Sequence, residues 1–215
     1  PLMTRYAAET PARLSKLYER SMQYAGAVVL PLVTGTIILS PEIVQLIFGS
    51  DFLPSTMVLR ILTPALIFVF LNVPNSRMML VHDRQAWSSK FLIISVSVNL
   101  LLNLTLNPSW GASGAAAARL CSSFVYFFLN FQYVNRVLEP SNLPHLVSRS
   151  ALATAFMAAA VWAIRSWPLF LSISVGGIIY IGMLWLFGGF LPEDLARLKQ
   201  GLAKCFRSMS TRMRG

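Results

Sequence analysis

The stretch NLLLNLTLNPSWGASGAAAARLCS, residues 99–122, decides the fold class. Asn99, Asn103 and Asn107 recur every fourth residue in a leucine-rich run, so they share one face of a helix. A proline follows, then the short turn SWGASG, then a block of small residues over 112–118. An amide facing lipid is costly, so the asparagine face should meet another helix or a wet cavity. Small residues let two helix backbones approach closely in lipid. The pattern predicts a tight antiparallel hairpin of two membrane helices, the first ending at Asn107 and Pro108.

The rest of the chain agrees with a membrane setting. Of its 215 residues, 55% are hydrophobic and only 12% charged, against about 25% charged in soluble domains. A bilayer core takes about 20 apolar residues per helix. Six segments qualify, over about 22–40, 56–81, 86–106, 112–134, 148–164 and 168–190. The expected fold class is therefore all-α, a polytopic membrane protein of six transmembrane helices. The expected organisation is a cytoplasmic amphipathic segment (1–21), a four-helix core (22–136), two further spans (137–190) and a basic tail helix (191–215). The chain reads as the C-terminal part of a longer protein.

Charge sets the expected orientation. The net charge of +10 would suggest nucleic acid in a soluble chain. Here all the basic residues except Arg60, Arg119 and Arg165 fall on one side of the six spans. Lysine and arginine gather in cytoplasmic loops, so both ends are expected to be cytoplasmic. In the tail, Pro192, Glu193 and Asp194 suit a helix start. Leu195, Leu198, Leu202, Cys205 and Phe206 then share one face, as in an interfacial helix on an anionic leaflet. Residues 11–23 read similarly, with Leu14, Leu17, Tyr18 and Met22 on the apolar side. Topology anchoring alone would also explain both basic segments.

Catalytic chemistry is not legible. His82 and His145 have no second ligand at helical spacing, and Cys121 and Cys205 form no metal or disulfide pattern. There is no glycine-rich phosphate loop and no nucleophile elbow. No cofactor, metal or enzyme activity is expected. No carboxylate lies near the middle of a span, so no proton-coupling residue is visible.

The polar residues within the spans are the candidate site: Arg60, Arg119, Asn99, Asn103 and Asn72. The asparagines can be interhelical glue, worth only about 0.6 kcal/mol per contact, or the polar wall of a solute path. Arg119 lies about 10 Å inside its span, counted at 1.5 Å per residue, and Arg60 sits at similar depth. Each can snorkel to the outer headgroups. Alternatively the two form a cationic patch for a phosphate-bearing substrate, since guanidinium pairs with phosphate in a fork. Pro31, Pro64 and Pro74 should kink their helices.

Together these residues resemble a known family. LPLVTGTIILSPEIVQLIFGSDF (30–52), VLRIL (58–62) and VNLLLNLTLNPSWGASGAAAARLCS (98–122) are similar to polysaccharide flippases of the multidrug/oligosaccharidyl-lipid/polysaccharide exporter superfamily. The resemblance covers about residues 1–136. It implies two six-helix lobes around a central cavity, this chain being the second. It implies alternating access that moves a lipid-linked oligosaccharide, a polyprenyl diphosphate, across a bacterial inner membrane. It further implies a monomer with membrane lipids and polysaccharide polymerase machinery as partners. A cationic cavity is typical of such flippases, which favours Arg60; at Arg119 the family leads one to expect a small or hydroxyl residue. Peptidoglycan-precursor flippases and drug antiporters are rivals within the superfamily. Antiporters that bind cations should favour acidic cavities. A membrane glycosyltransferase or polymerase would need carboxylates in large outward loops, and these loops are short. A non-transporting membrane scaffold is a third reading.

Overall fold

The computed structural model describes residues 11–137, 143–164 and 167–186. All regular elements among them are helices: α1 (Pro11–Ile38), α2 (Ser40–Phe48), a 3-10 helix (Ser50–Ser55), α3 (Thr56–Leu62), α4 (Ala65–Val81), α5 (Gln85–Trp110), α6 (Ala112–Val137), α7 (Leu143–Ala163) and α8 (Leu169–Leu186). Five spans are long and apolar enough to cross a membrane: Leu14–Ile38, Ser50–Val81, Gln85–Trp110, Ala112–Arg136 and Leu169–Leu186. In α7 the apolar stretch Val147–Ala163 is shorter. The chain is thus an all-α polytopic membrane protein, as its hydropathy predicts. The expected tail helix over 191–215 and Arg165 lie outside the described residues.

In space the helices neighbour one another in the order α5, α6, α4, α1, α7, α8. The reason lies in α1. Leu14, Tyr18, Met22, Val29 and Val33 fall on its one buried stripe, spaced by fours and sevens as a helical face requires. The first half of that stripe packs with Leu71, Met78 and Met79 of α4 and with Phe127 and Val134 of α6. Beyond it, Leu39, Ala153, Met157 and Val161 pack with Tyr180 and Leu184 of α8. The Tyr180 hydroxyl donates to the Ala27 carbonyl at 2.6 Å, tying α8 to α1. Residues 11–23 therefore continue the first span rather than form a separate surface helix, and Leu14, Tyr18 and Met22 are enclosed by protein.

Proline shapes the second span more than expected. Pro64 divides it into α3 and α4, because proline supplies no N–H to continue the ladder. The joint closes through shorter bonds, from Leu66 N–H to the Thr63 carbonyl at 3.0 Å and from Ile67 N–H to the Pro64 carbonyl at 3.1 Å. Pro74, by contrast, stays inside α4, and Pro31 inside α1.

The α5–α6 hairpin forms, but α5 does not end at Asn107 and Pro108. It runs on to Trp110. One lost hydrogen bond at Pro108 is tolerated in a last turn, which Gly111 N–H closes onto the Asn107 carbonyl at 2.8 Å. Gly111 has φ +55, a backbone that glycine adopts without steric cost. At Gly114 an added Cβ would lie 2.5 Å from the Leu106 carbonyl oxygen. Only a residue without a side chain allows that approach. Ala116 and Ala118 are buried beside it, so the small-residue block serves close packing.

Candidate functional site

α4 and α5 are consecutive but touch little, while α6 packs on both. A groove therefore opens between α4 and α5, with α6 as its floor. Its first chamber, about 220 Å³, is lined by Phe68, Asn72, Ser95, Asn99, Arg119 and Ser122, among others. A second chamber, about 440 Å³, is lined by Asn72, Ser76, Arg77, Gln85, Ser88 and Tyr126, among others. Val69, Asn72 and Tyr126 border both, so the two adjoin.

Three of the five sequence candidates meet in the first chamber: Asn72, Asn99 and Arg119. The helical register explains this. Ser95 and Asn99 lie one turn apart on α5, and Arg119, Ser122 and Tyr126 lie one turn apart on α6. Arg119 is exposed and lines the chamber; its carbonyl accepts from Ser122 Oγ at 3.0 Å, while its guanidinium makes no hydrogen bond or ion pair among the described residues. Asn72 is buried, and its Oδ1 has no hydrogen-bond partner. That leaves an unsatisfied acceptor enclosed in the wall of the groove.

The asparagine stripe does pack helix to helix. Asn99 Nδ2 donates to Ser122 Oγ at 3.1 Å. Ser95 Oγ donates to the Ser122 carbonyl at 2.7 Å, extending the stripe one turn further down α5. Asn103 turns back on its own helix, donating to the Asn99 carbonyl at 2.9 Å and to Asn99 Oδ1 at 3.1 Å. It lines neither chamber.

Arg60 is placed elsewhere. Its Nε donates to Ser40 Oγ at 2.7 Å, and that hydroxyl donates on to the Ile37 carbonyl at 2.9 Å. Arg60 thus fastens α3 to the break between α1 and α2, and borders neither chamber. Equal depth in two spans does not bring two arginines together; their rotation about the helix axes differs. Arg77 was legible only as a topological charge, yet it lines the second chamber. Its spacing from Asn72, five residues, gave no sign of a shared groove. Tyr126 was missed as well; its hydroxyl and Ser88 Oγ share a hydrogen bond at 3.1 Å across α5 and α6.

The polar groups of the groove are hydroxyls, amides and guanidinium groups, set among apolar side chains such as Phe68, Val69, Leu92 and Val73. Neither chamber is lined by an aspartate or glutamate. Among the described residues no group of three His, Cys, Asp or Glu side chains could hold a metal ion. Such walls suit a ligand that is anionic at one point and rich in hydroxyls elsewhere.

No protein-family profile matches the chain. Curated relatives do. It is 24% identical over 182 residues to a probable low-salt glycan biosynthesis flippase of Haloferax volcanii, covering 81% of this chain and 39% of that protein. It is 26% identical over 179 residues to a membrane protein of Methanocaldococcus jannaschii, covering 81% and 35%. It is 30% identical over 168 residues to a probable lipid II flippase of Rhizobium meliloti, covering 73% and 31%. The chain thus spans between 31% and 39% of the length of these relatives. Fold and groove define a polytopic helical membrane protein with a groove that carries polar side chains between α4 and α5. In sequence it is similar to membrane proteins of the flippase type, two of its relatives being named probable flippases.

Proposed function

We propose that this chain is the C-terminal lobe of a transporter that flips lipid-linked oligosaccharide repeat units by alternating access, for cell-surface polysaccharide synthesis. The observation that carries the reading is Arg119. An unpaired guanidinium faces a chamber whose other polar groups are neutral amides and hydroxyls. A polyprenyl diphosphate joined to sugar presents the complementary chemistry: a phosphate fork for arginine and hydroxyls for asparagine and serine. The cationic substrate of a drug antiporter would be repelled by the same chamber. In this reading the protein works as a monomer in a bacterial inner membrane, both ends of this segment cytoplasmic, beside polysaccharide polymerase machinery. The similarity to a probable lipid II flippase favours a second reading, in which the sugar is a peptidoglycan precursor. Both readings share the diphosphate.

The test uses the full-length protein in proteoliposomes. A fluorescent polyprenyl diphosphate bearing one sugar should cross between leaflets, and Arg119→Ala should slow the crossing by about tenfold or more. If Arg119→Ala, normally inserted, moves the probe as well as the parent, the cationic site is disproved.

A further inference from the structure

The groove carries a second arginine that the flippase reading does not use. Arg77 lines the second chamber and its guanidinium, like that of Arg119, makes no hydrogen bond or ion pair among the described residues. The two mark opposite ends of one path. Val69, Asn72 and Tyr126 lie at the junction of the chambers. From Tyr126 back to Arg119 is seven residues of α6, about 10 Å at 1.5 Å per residue. From Asn72 on to Arg77 is five residues of α4, about 7.5 Å on the same count. The two positions are therefore separated along the groove by roughly 18 Å.

One diphosphate, with its two phosphorus atoms on either side of one oxygen, fills one end and not both. Between the ends the wall is uncharged, with Asn72, Ser76, Ser88, Ser122 and Tyr126 set among apolar side chains such as Phe68, Val69 and Val73. A lone deep cationic well would hold an anion too firmly to release it. Passage needs sites strong enough to admit a ligand and weak or multiple enough to let it go. Two separate guanidinium groups with a neutral step between them meet that requirement.

Resting on the flippase reading, we infer that Arg77 and Arg119 are successive stations for one substrate diphosphate. Arg77 receives it at the cytoplasmic mouth, where α4 ends. Arg119 holds it deeper, toward the outer face. The roles differ in kinetics. Loss of the receiving station weakens capture; loss of the deeper station slows the transfer that follows capture.

The experiment measures initial crossing rates of the fluorescent polyprenyl diphosphate sugar by the full-length protein in phosphatidylcholine vesicles, across probe concentration. Arg77→Gln should raise KM by about tenfold with kcat within about twofold, and Arg119→Gln should lower kcat by about tenfold with KM within about twofold. Arg77→Lys and Arg119→Lys keep the charge and should restore most of each loss, which separates the effect from misfolding. Arg84→Gln makes the same charge change near the same mouth but outside the groove, and should match the parent. If both glutamine variants move the same parameter, or neither moves any while the parent transports, the two-station inference fails and the flippase reading stands. If Arg84→Gln equals Arg77→Gln, or added phosphatidylglycerol abolishes the Arg77 effect, Arg77 acts on bulk headgroups and the inference is overturned. A parent that moves no probe overturns the flippase reading, and this inference with it.

Discussion

The Tyr18 hydroxyl donates to Asn75 Oδ1 at 2.7 Å, joining α1 to α4 inside the bundle. Asn75 is fully buried and Tyr18 nearly so, and Asn75 Nδ2 has no partner. Removing the phenol strips the amide of that bond, and an unsatisfied buried acceptor costs about 1–3 kcal/mol. Replacing both partners with apolar groups of similar shape is far cheaper. Tyr18→Phe should therefore lower the melting temperature in detergent, and Tyr18→Phe with Asn75→Leu should recover most of the loss. A double variant less stable than the single one would show that the bond is not what matters at this contact.

Gly114 makes the sharpest packing prediction. A Cβ there would meet backbone of the facing helix at 2.5 Å, whereas one at Gly177 of α8 would meet nothing within 4 Å. Backbone cannot swing aside as a side-chain tip can, and overpacking costs about 1–3 kcal/mol. Gly114→Ala should destabilise by that amount and open the α5–α6 hairpin. Gly177→Ala should be neutral or stabilising, since alanine favours a helix over glycine by up to about 1 kcal/mol. Thermal unfolding of the two variants side by side decides it.

The hairpin was the most legible part of the fold because its signals are local. Gly111 supplies the turn, Gly114 the close approach, and the spacing of Asn99 and Asn103 the shared face. Those depend on neighbours in sequence. The groove was only half legible because it depends on how α4, α5 and α6 are rotated toward one another. Asn72, Asn99 and Arg119 could be singled out as polar groups in apolar spans, which is a statement about cost. That they converge, that Arg60 turns instead to Ser40, and that Arg77 joins them follow from tertiary packing. The break at Pro64 adds to this, since it resets the register between Arg60 and Asn72.

Arg60 should behave as a fastener. Its bond to Ser40 is charge-assisted, and such bonds contribute about 1.5–3 kcal/mol. Arg60→Ala should lower stability by an amount toward the small end of that range, because Arg60 is exposed and its charge is partly screened. Crossing rate per folded molecule should stay within about twofold of the parent, unlike the loss at Arg119. Melting curves and probe transport, measured on the same preparation, separate the two effects. A large fall in kcat with unchanged melting would return Arg60 to the substrate path.

The asparagine stripe divides by partner. Asn99 binds across to Ser122, while Asn103 binds only within α5. Interhelical bonds of this kind average about 0.6 kcal/mol in membranes. Asn99→Ala should cost about that much and also raise KM, because Asn99 lines the first chamber. Asn103→Ala should leave both melting and transport close to the parent. Equal losses in the two variants would contradict the division.

Asn72 should show stability and function pulling apart. Its Oδ1 is buried without a partner, and such a group is held at a cost of about 1–3 kcal/mol. Asn72→Leu keeps the volume and removes the orphan acceptor, so the variant should melt higher than the parent. Sites shaped for function often carry such a cost. If the acceptor is there to take a sugar hydroxyl, Asn72→Leu should raise KM several-fold for a polyprenyl diphosphate bearing sugar and leave KM for the sugarless polyprenyl diphosphate unchanged, since a site built to hydrogen-bond a hydroxyl discriminates strongly on that group. Comparing the two probes on one preparation isolates the sugar contact from the arginine contact. An Asn72→Leu protein that gains no stability, or that loses both probes alike, would assign Asn72 to packing rather than to recognition.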